Sequence, residues 1–417
     1  MNNQRTGLFA VTLLAVVAMP SARAIDVTAG KWTLSFDGNV NAHYIYSNCE
    51  THPAVVGGGL ACVAPDSSSS VSNGLLPAAL TISGATNQNG YDLGFTFGLY
   101  PGISTNDGGS PNLQAADNST FGHTALGTAG LDVRQVFLTV GTSTMGTIMA
   151  GRNIGLFGAD AILNDMTLLG VGGGNGNYAA PANTSLGSIG LGYIYTDWLS
   201  QIDYTTPSLG GAKITFGIFD PLNTLGQVPV NHSSPGFQAK VAYTMGPLYL
   251  SASGLYQKQR ISCTDVAQVP LAPNCGVASS NVEYNSNAFD LGGKYDIGNF
   301  EVLGWYYRGK GVGTTGLFIL SNDAAGTARD SDGFLGQVTY KLGPAKVGLN
   351  YGQSKLDRTS IDPGTLVEKN DKWTAGVYYN LTDNLLLVGE WSREESENQA
   401  GAKNTSWNLN GGLFLKF

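Results

Sequence analysis

The chain has 417 residues, a formal net charge of −8 and only 12% charged residues, against about 25% in an ordinary soluble domain. Its 58 glycines are about twice the usual share and argue against a helical protein. The acidic balance argues against nucleic acid as a partner.

The chain opens with Arg5, an apolar run from Gly7 to Met19, a break at Pro20 and the small-x-small triplet Ala22-Arg23-Ala24. This is the pattern of a secretory signal peptide over residues 1–24, with the mature chain expected to begin at Ile25 and run to 417 as one domain. The apolar run is too short for a spanning helix, which needs about 20 residues. Loss of Arg5 and Arg23 moves the formal charge from −8 to −10. No later apolar run could form a membrane helix, so residence in a membrane must be through strands.

From Lys31 to Ser47 every even residue is apolar or small, and every odd one is polar except Ile45. Such alternation belongs to a strand, not a helix. A loop with Cys49 and Cys62 leads to a strand near Leu76 to Ala85. That strand turns through Asn87 to Gly90 into a third, whose outer face is Tyr91, Leu93, Phe95, Phe97 and Leu99. After a polar loop from Pro101 to Gly130, strands are expected at Leu131 to Val140 and Thr144 to Arg152. Their alternation is blurred and assigns no facing.

The second half repeats a unit in which a strand carries two aromatics six residues apart and then meets a short turn. The pairs are Trp198 and Tyr204, Phe237 and Tyr243, Phe289 and Tyr295, Phe334 and Tyr340, Trp373 and Tyr379. An even spacing puts both rings on one face, about 20 Å apart. Rings at both ends of an apolar stripe suit a strand facing lipid, because aromatic rings prefer the headgroup level. The final stretch, Lys403 to Phe417, alternates too and ends on an aromatic. In lipid both of its edges need a partner, which makes the first strand of the mature chain its second neighbour.

Long loops alternating with short turns add up to about sixteen strands. The expected fold is therefore all-β: a transmembrane antiparallel barrel wide enough for an aqueous channel. An even count puts both termini on the short-turn side, the periplasm. The cysteines form two local pairs, Cys49 with Cys62 and Cys263 with Cys275, expected as disulfides in an oxidising compartment. They lack the C-x₂-C spacing of a thiolate metal site, and no cofactor is implied. Gly309 to Gly313 lacks the ending of a phosphate loop and reads as a flexible surface loop.

Arg134-Gln135-Val136-Phe137-Leu138-Thr139-Val140-Gly141, followed by Met145-Gly146-Thr147-Ile148-Met149-Ala150-Gly151-Arg152-Asn153, resembles the general porins of Gram-negative outer membranes. So do Tyr204-Thr205-Thr206-Pro207-Ser208-Leu209-Gly210-Gly211 and the terminal Phe417. The resemblance implies a homotrimer in outer-membrane lipid that passes small polar solutes and ions. It also implies recognition of the terminal strand, ending at Phe417, by the outer-membrane assembly machinery. In that family the loop after the Gly-Arg strand folds inward and narrows the pore. The corresponding stretch here is 153–195, which nominates Asp160 and Asp165 for the acidic side of the constriction and Arg134 and Arg152 for the basic side. Opposed charges across a narrow gap orient polar solutes.

Alternation adds Asp37, His43, Asp203, Lys240, Asp290, Lys294 and Glu390 as residues lining the pore. With the acidic loops, including Glu394, Glu395 and Glu397, this mixed ring leads to an expected weak cation preference. An outer-membrane hydrolase would need a base aligned with a nucleophile, and His43, His52, His123 and His232 lie in no such pattern. Two rival functions fit the same barrel. A solute-specific porin would show a saturable conductance, and an adhesion or structural barrel would show none.

Overall fold

A computed structural model describes residues 25–52, 54–63, 66–103, 131–174, 184–223, 232–261 and 282–417. The signal-peptide segment and the pair Cys263 and Cys275 lie outside the described residues. No described helix is long and apolar enough to cross a membrane. The strands are β1 (Ile25–Ala29), β2 (Trp32–Thr51), β3 (Ser68–Ser72), β4 (Ala79–Gln88), β5 (Tyr91–Pro101), β6 (Leu131–Thr142), β7 (Gly146–Ile154), β8 (Trp198–Thr205) and β9 (Ala212–Phe219). They continue as β10 (Gly236–Met245), β11 (Leu248–Ile261), β12 (Val282–Ile297), β13 (Phe300–Lys310), β14 (Asp330–Leu342), β15 (Ala345–Leu356), β16 (Val367–Asn380), β17 (Leu385–Asn398) and β18 (Lys403–Lys416).

All pair antiparallel in one sheet that closes where β18 meets β2, with Leu409 opposite Tyr46 and Leu413 opposite Ala42. Sixteen strands, β2 and β4 to β18, form the closed wall. The two short ones fill gaps in it: β1 continues the column of β18 along the start of β2, and β3 continues the column of β4 along its end. Closure leaves no free edge in the wall, the condition for strands in hydrocarbon.

The outer face is apolar. Val40, Ile202, Phe216, Val241, Leu291, Val338, Leu349 and Val377 are all exposed on it. Phe237, Phe289, Tyr295, Phe334, Trp373 and Tyr379 stand exposed on the same face, with Tyr204, Tyr243 and Tyr340 half-buried among them. Trp198 departs from the expected girdle. It is 8% exposed and packs inside, against Tyr100 and the loop residues Tyr193 and Tyr195.

The blurred alternation of the β6 region has a local cause. Gly98 faces Gln135 while Leu99 faces Val133, so Arg134 is the extra residue of a β-bulge. The bulge turns both Arg134 and Gln135 inward and shifts the outward set from Leu131 and Val133 to Val136 and Leu138.

Candidate functional site: the inner wall and its inward loop

The segment between β7 and β8 turns into the barrel and carries helix α1 (Ala159–Asn164) and a 3₁₀ turn at Met166–Leu169. It travels along the inner wall from β10 to β17, held at several of these strands by a different side chain. Gln238 on β10 accepts from Leu156 N, and Asp290 on β12 accepts from Gly158 N at 2.6 Å. Gln337 on β14 accepts from Met166 N at 2.7 Å. Glu390 on β17 takes both Val171 N and Gly172 N on Oε2, at 2.8 and 2.9 Å, while Tyr378 donates to its Oε1 at 2.5 Å.

This last contact depends on glycine. A Cβ on Gly170 would lie 2.0 Å from Glu390 Oε1, and Gly172 has φ +60. The Gly170-Val171-Gly172 sequence therefore lets the backbone lie directly on the carboxylate, in a conformation L side chains rarely adopt.

Other segments also turn inward and brace the loop. Residues 73–78, at the break between β3 and β4, join it through Leu75 N to Gly170 O and Leu76 N to Leu168 O. From the β13–β14 loop, Thr315 O accepts from Tyr195 N. Val312, Leu317 and Phe318 of that loop are buried with Phe157 and Ile194. Gly309 and Lys310 are in fact the end of β13, and the buried Val312 replaces the flexible surface loop expected there. Residues 54–63 reach across β16 and β17, with Leu60 N donating to Asn370 Oδ1 and Ser396 Oγ. That segment is tied back to β2 by the disulfide Cys49–Cys62.

The expected constriction charges assemble differently. Asp160 is sealed against the wall, accepting from Lys240 Nζ at 3.1 Å, Tyr249 OH at 2.8 Å and Ser251 Oγ at 2.6 Å. Asp165 accepts from Thr167 N, Tyr193 OH and Asn350 Nδ2. Both are buried anchors of the loop and not an open acidic rim. Arg134 is buried too, bonded to Asp132 at 2.9 Å and lying over the rings of Tyr100 and Trp198 at 5.0 and 5.7 Å. Arg152 is in register with Val136 and Ser200, both exposed on the outer face. Among the described residues no ion pair joins Arg134 or Arg152 to Asp160 or Asp165.

The acid that acts on both arginines is Asp197, in the loop ahead of β8. Burial pushes its carboxyl up to about 6, against the pull of the Trp198 N–H and the Arg152 charge.

The lining candidates divide in a similar way. His43, Asp203, Asp290 and Glu390 point inward but are sealed from the lumen. Asp203, Asp290 and Glu390 hold backbone or neighbouring side chains, whereas neither ring nitrogen of His43 has a hydrogen-bond partner among the described residues. His43 is the extreme case. Added Cβ atoms on Gly74 and Gly412 would lie 3.0 and 2.1 Å from its ring nitrogens, so two glycines enclose it. Asp37 is half-buried on the inner face of β2. Lys240 and Lys294 remain partly open, Lys294 lying 3.6 Å from Glu301.

Alternation did not single out Lys341 and Lys346. They lie next to a short turn, at strand ends that periodicity places poorly.

A profile of the Gram-negative porin family matches residues 10–399. No curated protein matches the chain. Among solved structures, the chain is similar to the anion-selective porin from Comamonas acidovorans, with 17% identity, 93% of this chain and 100% of that one covered, and a TM-score of 0.61. It is similar to the outer membrane channel DcaP of Acinetobacter baumannii at 12% identity, covering 94% and 99%, with a TM-score of 0.65. A further similarity is to OmpF of Salmonella typhi in complex with daunomycin, at 13% identity, covering 94% and 100%, with a TM-score of 0.57. At these identities the likeness is one of fold.

Proposed function

The chain belongs to the Gram-negative porin family, and on that premise we propose that it is a channel for passive diffusion of small hydrophilic solutes and ions across the outer membrane. The observation that carries this reading is the closed sixteen-stranded wall, apolar outside, with a loop pressed onto its inner face. A barrel of this size cannot fill its interior with wall side chains alone, so inward loops set the width of the passage. Wall side chains that accept loop N–H groups, and the loop carboxylates Asp160 and Asp165 that accept from wall side chains, hold the constriction at a constant diameter.

We propose a homotrimer, as in the family resemblance; one similar structure, OmpT of Vibrio cholerae, is described as a trimer form. The signal peptide, the periplasmic placing of the short turns and recognition of Phe417 by the assembly machinery belong to the same proposal. The weak cation preference expected from the mixed ring of lining charges and the acidic loops needs free carboxylates at the constriction. Asp160, Asp165, Asp290 and Glu390 are instead engaged as hydrogen-bond acceptors, so the sign of the preference passes to the charges that remain open.

The test is planar-bilayer recording of the refolded protein. Stepwise conductance that rises linearly with salt and does not saturate with added sugars or amino acids is the expected result. Absence of conductance would leave a structural or adhesion barrel, and a saturable block by one solute would make it a solute-specific porin.

A further inference from the structure

The inner wall on the short-turn side of the constriction carries lysines that nothing neutralises. Leu335, Gln337 and Thr339 of β14 are buried on the inner face, and two residues on from Thr339 is Lys341, exposed at the end of the strand. Directly opposite it on β15 is Lys346. The Nζ of Lys346 lies 5.2 Å from the centre of the Tyr378 ring, the same inward tyrosine that donates to Glu390. Like charges directly opposite on neighbouring strands repel and destabilise the sheet. Among the described residues neither lysine has an ion-pair partner.

The other charges that act on Lys346 account for the excess. Glu301 lies 3.6 Å from Lys294 and is engaged there; Asp165 is buried and already accepts from three donors; Lys294 adds to the repulsion. Asp296 is in register with Glu301, so the acids of this face lie on the β12–β13 side, and Glu301, paired with Lys294, is the one that reaches toward the β14–β15 lysines.

Their position relative to the loop gives the excess a use. The inward position after Lys346 on β15 is Gly348, where an added Cβ would lie 2.6 Å from Met166 Sδ of the 3₁₀ turn. The lysines are therefore one inward step, about 7 Å along the strand, from the line where the loop touches the wall. That places them at the lip of the narrowed passage.

We propose that Lys341 and Lys346 form an anion-binding step at the short-turn lip of the constriction, which draws small carboxylate and phosphate solutes into the passage. The step rests on the channel reading and names the class of solute it favours. An ammonium group holds an anion as a point charge without fixed geometry, which suits a site that must release its solute as readily as it takes it. The sign is the opposite of that expected from the mixed ring and the acidic loops.

The experiment is reversal-potential measurement on the purified protein in planar bilayers under a potassium chloride gradient, repeated with potassium phosphate and potassium acetate to separate the two solute classes. The wild type is expected to favour the anion in all three salts. In the double variant Lys341→Gln/Lys346→Gln the anion-to-cation permeability ratio is expected to fall about threefold for each lysine removed. Lys341→Glu alone, at an exposed site with no packing to lose, is expected to move the ratio further toward cations. Lys355→Gln, on the outer face of β15, is expected to leave it unchanged. Cation selectivity in the wild type, or an unchanged ratio in Lys341→Glu, would overturn the proposal while leaving the channel reading in place. A protein that does not conduct would remove both.

Discussion

Glu390 offers the most direct test of how the constriction is held. Its carboxylate accepts Val171 N and Gly172 N on one oxygen and Tyr378 OH on the other, in a place sealed from water. Glu390→Ala strands four buried donors, Asn410 Nδ2 being the fourth, each worth about 1–3 kcal/mol when left unsatisfied. After water has partly filled the vacated space, the loss is about 3–6 kcal/mol of local stability. Since about 1.4 kcal/mol is tenfold, opening of the 165–174 segment becomes about 10²–10⁴ times more frequent. Glu390→Gln can still present one carbonyl oxygen to both N–H groups, while its NH2 donates to the Tyr378 oxygen in place of accepting from it. It therefore loses the charge assistance and the tyrosine's acceptor but keeps the loop contacts, a loss of about 1–3 kcal/mol.

The readout is hydrogen exchange of the peptide containing Val171 and Gly172, alongside single-channel noise. Exchange there should accelerate in the order wild type, Gln, Ala, with β13 and β14 unaffected and open-channel current noisier in the Ala variant. If Val171 and Gly172 exchange as slowly in the Ala variant as in the wild type, or if the whole barrel loosens equally, the carboxylate does not anchor the loop.

Three further outcomes follow from the same structure. Val377→Arg puts a charge on the outer face, where Val377 is 50% exposed, and should cost about 2–4 kcal/mol of folding into lipid vesicles; an unchanged urea midpoint would mean that this face does not meet hydrocarbon. Cys49→Ser opens the Cys49–Cys62 link and should make residues 54–63 sensitive to protease while the barrel resists, because the bridge closes a 13-residue separation and constrains the segment by about 3 kcal/mol. Asp197 has a folded pKa of about 6 against its ordinary 3.8, so the loop is best held below the ordinary value and loosens as pH rises through about 6. Asp197→Asn should abolish that dependence in the exchange of residues 184–197, and a pH profile identical to the wild type would refute the assignment.

Much of the barrel can be read along the chain because a strand's two-residue period sorts residues by face wherever one side meets lipid and the other meets polar surroundings. The regular strands β10 to β18 show this, with Phe237, Phe289, Phe334 and Trp373 outward and Gln238, Asp290, Gln337 and Lys372 inward. The same local rule failed at β6, where the bulge at Arg134 reversed the parity partway along the strand. It failed again at Trp198, whose ring is claimed by loop residues and by the Arg134 guanidinium.

Composition and alternation by themselves determined that this chain is a closed, lipid-facing barrel, because facing is a local property of a strand. Only the tertiary structure decided which inward charges are free. A carboxylate such as Glu390 or Asp160 reads the same in sequence whether it touches water or a loop folded back from residues far away along the chain. The charge left over at Lys341 and Lys346 emerges only once the acids around them have found their partners across that fold.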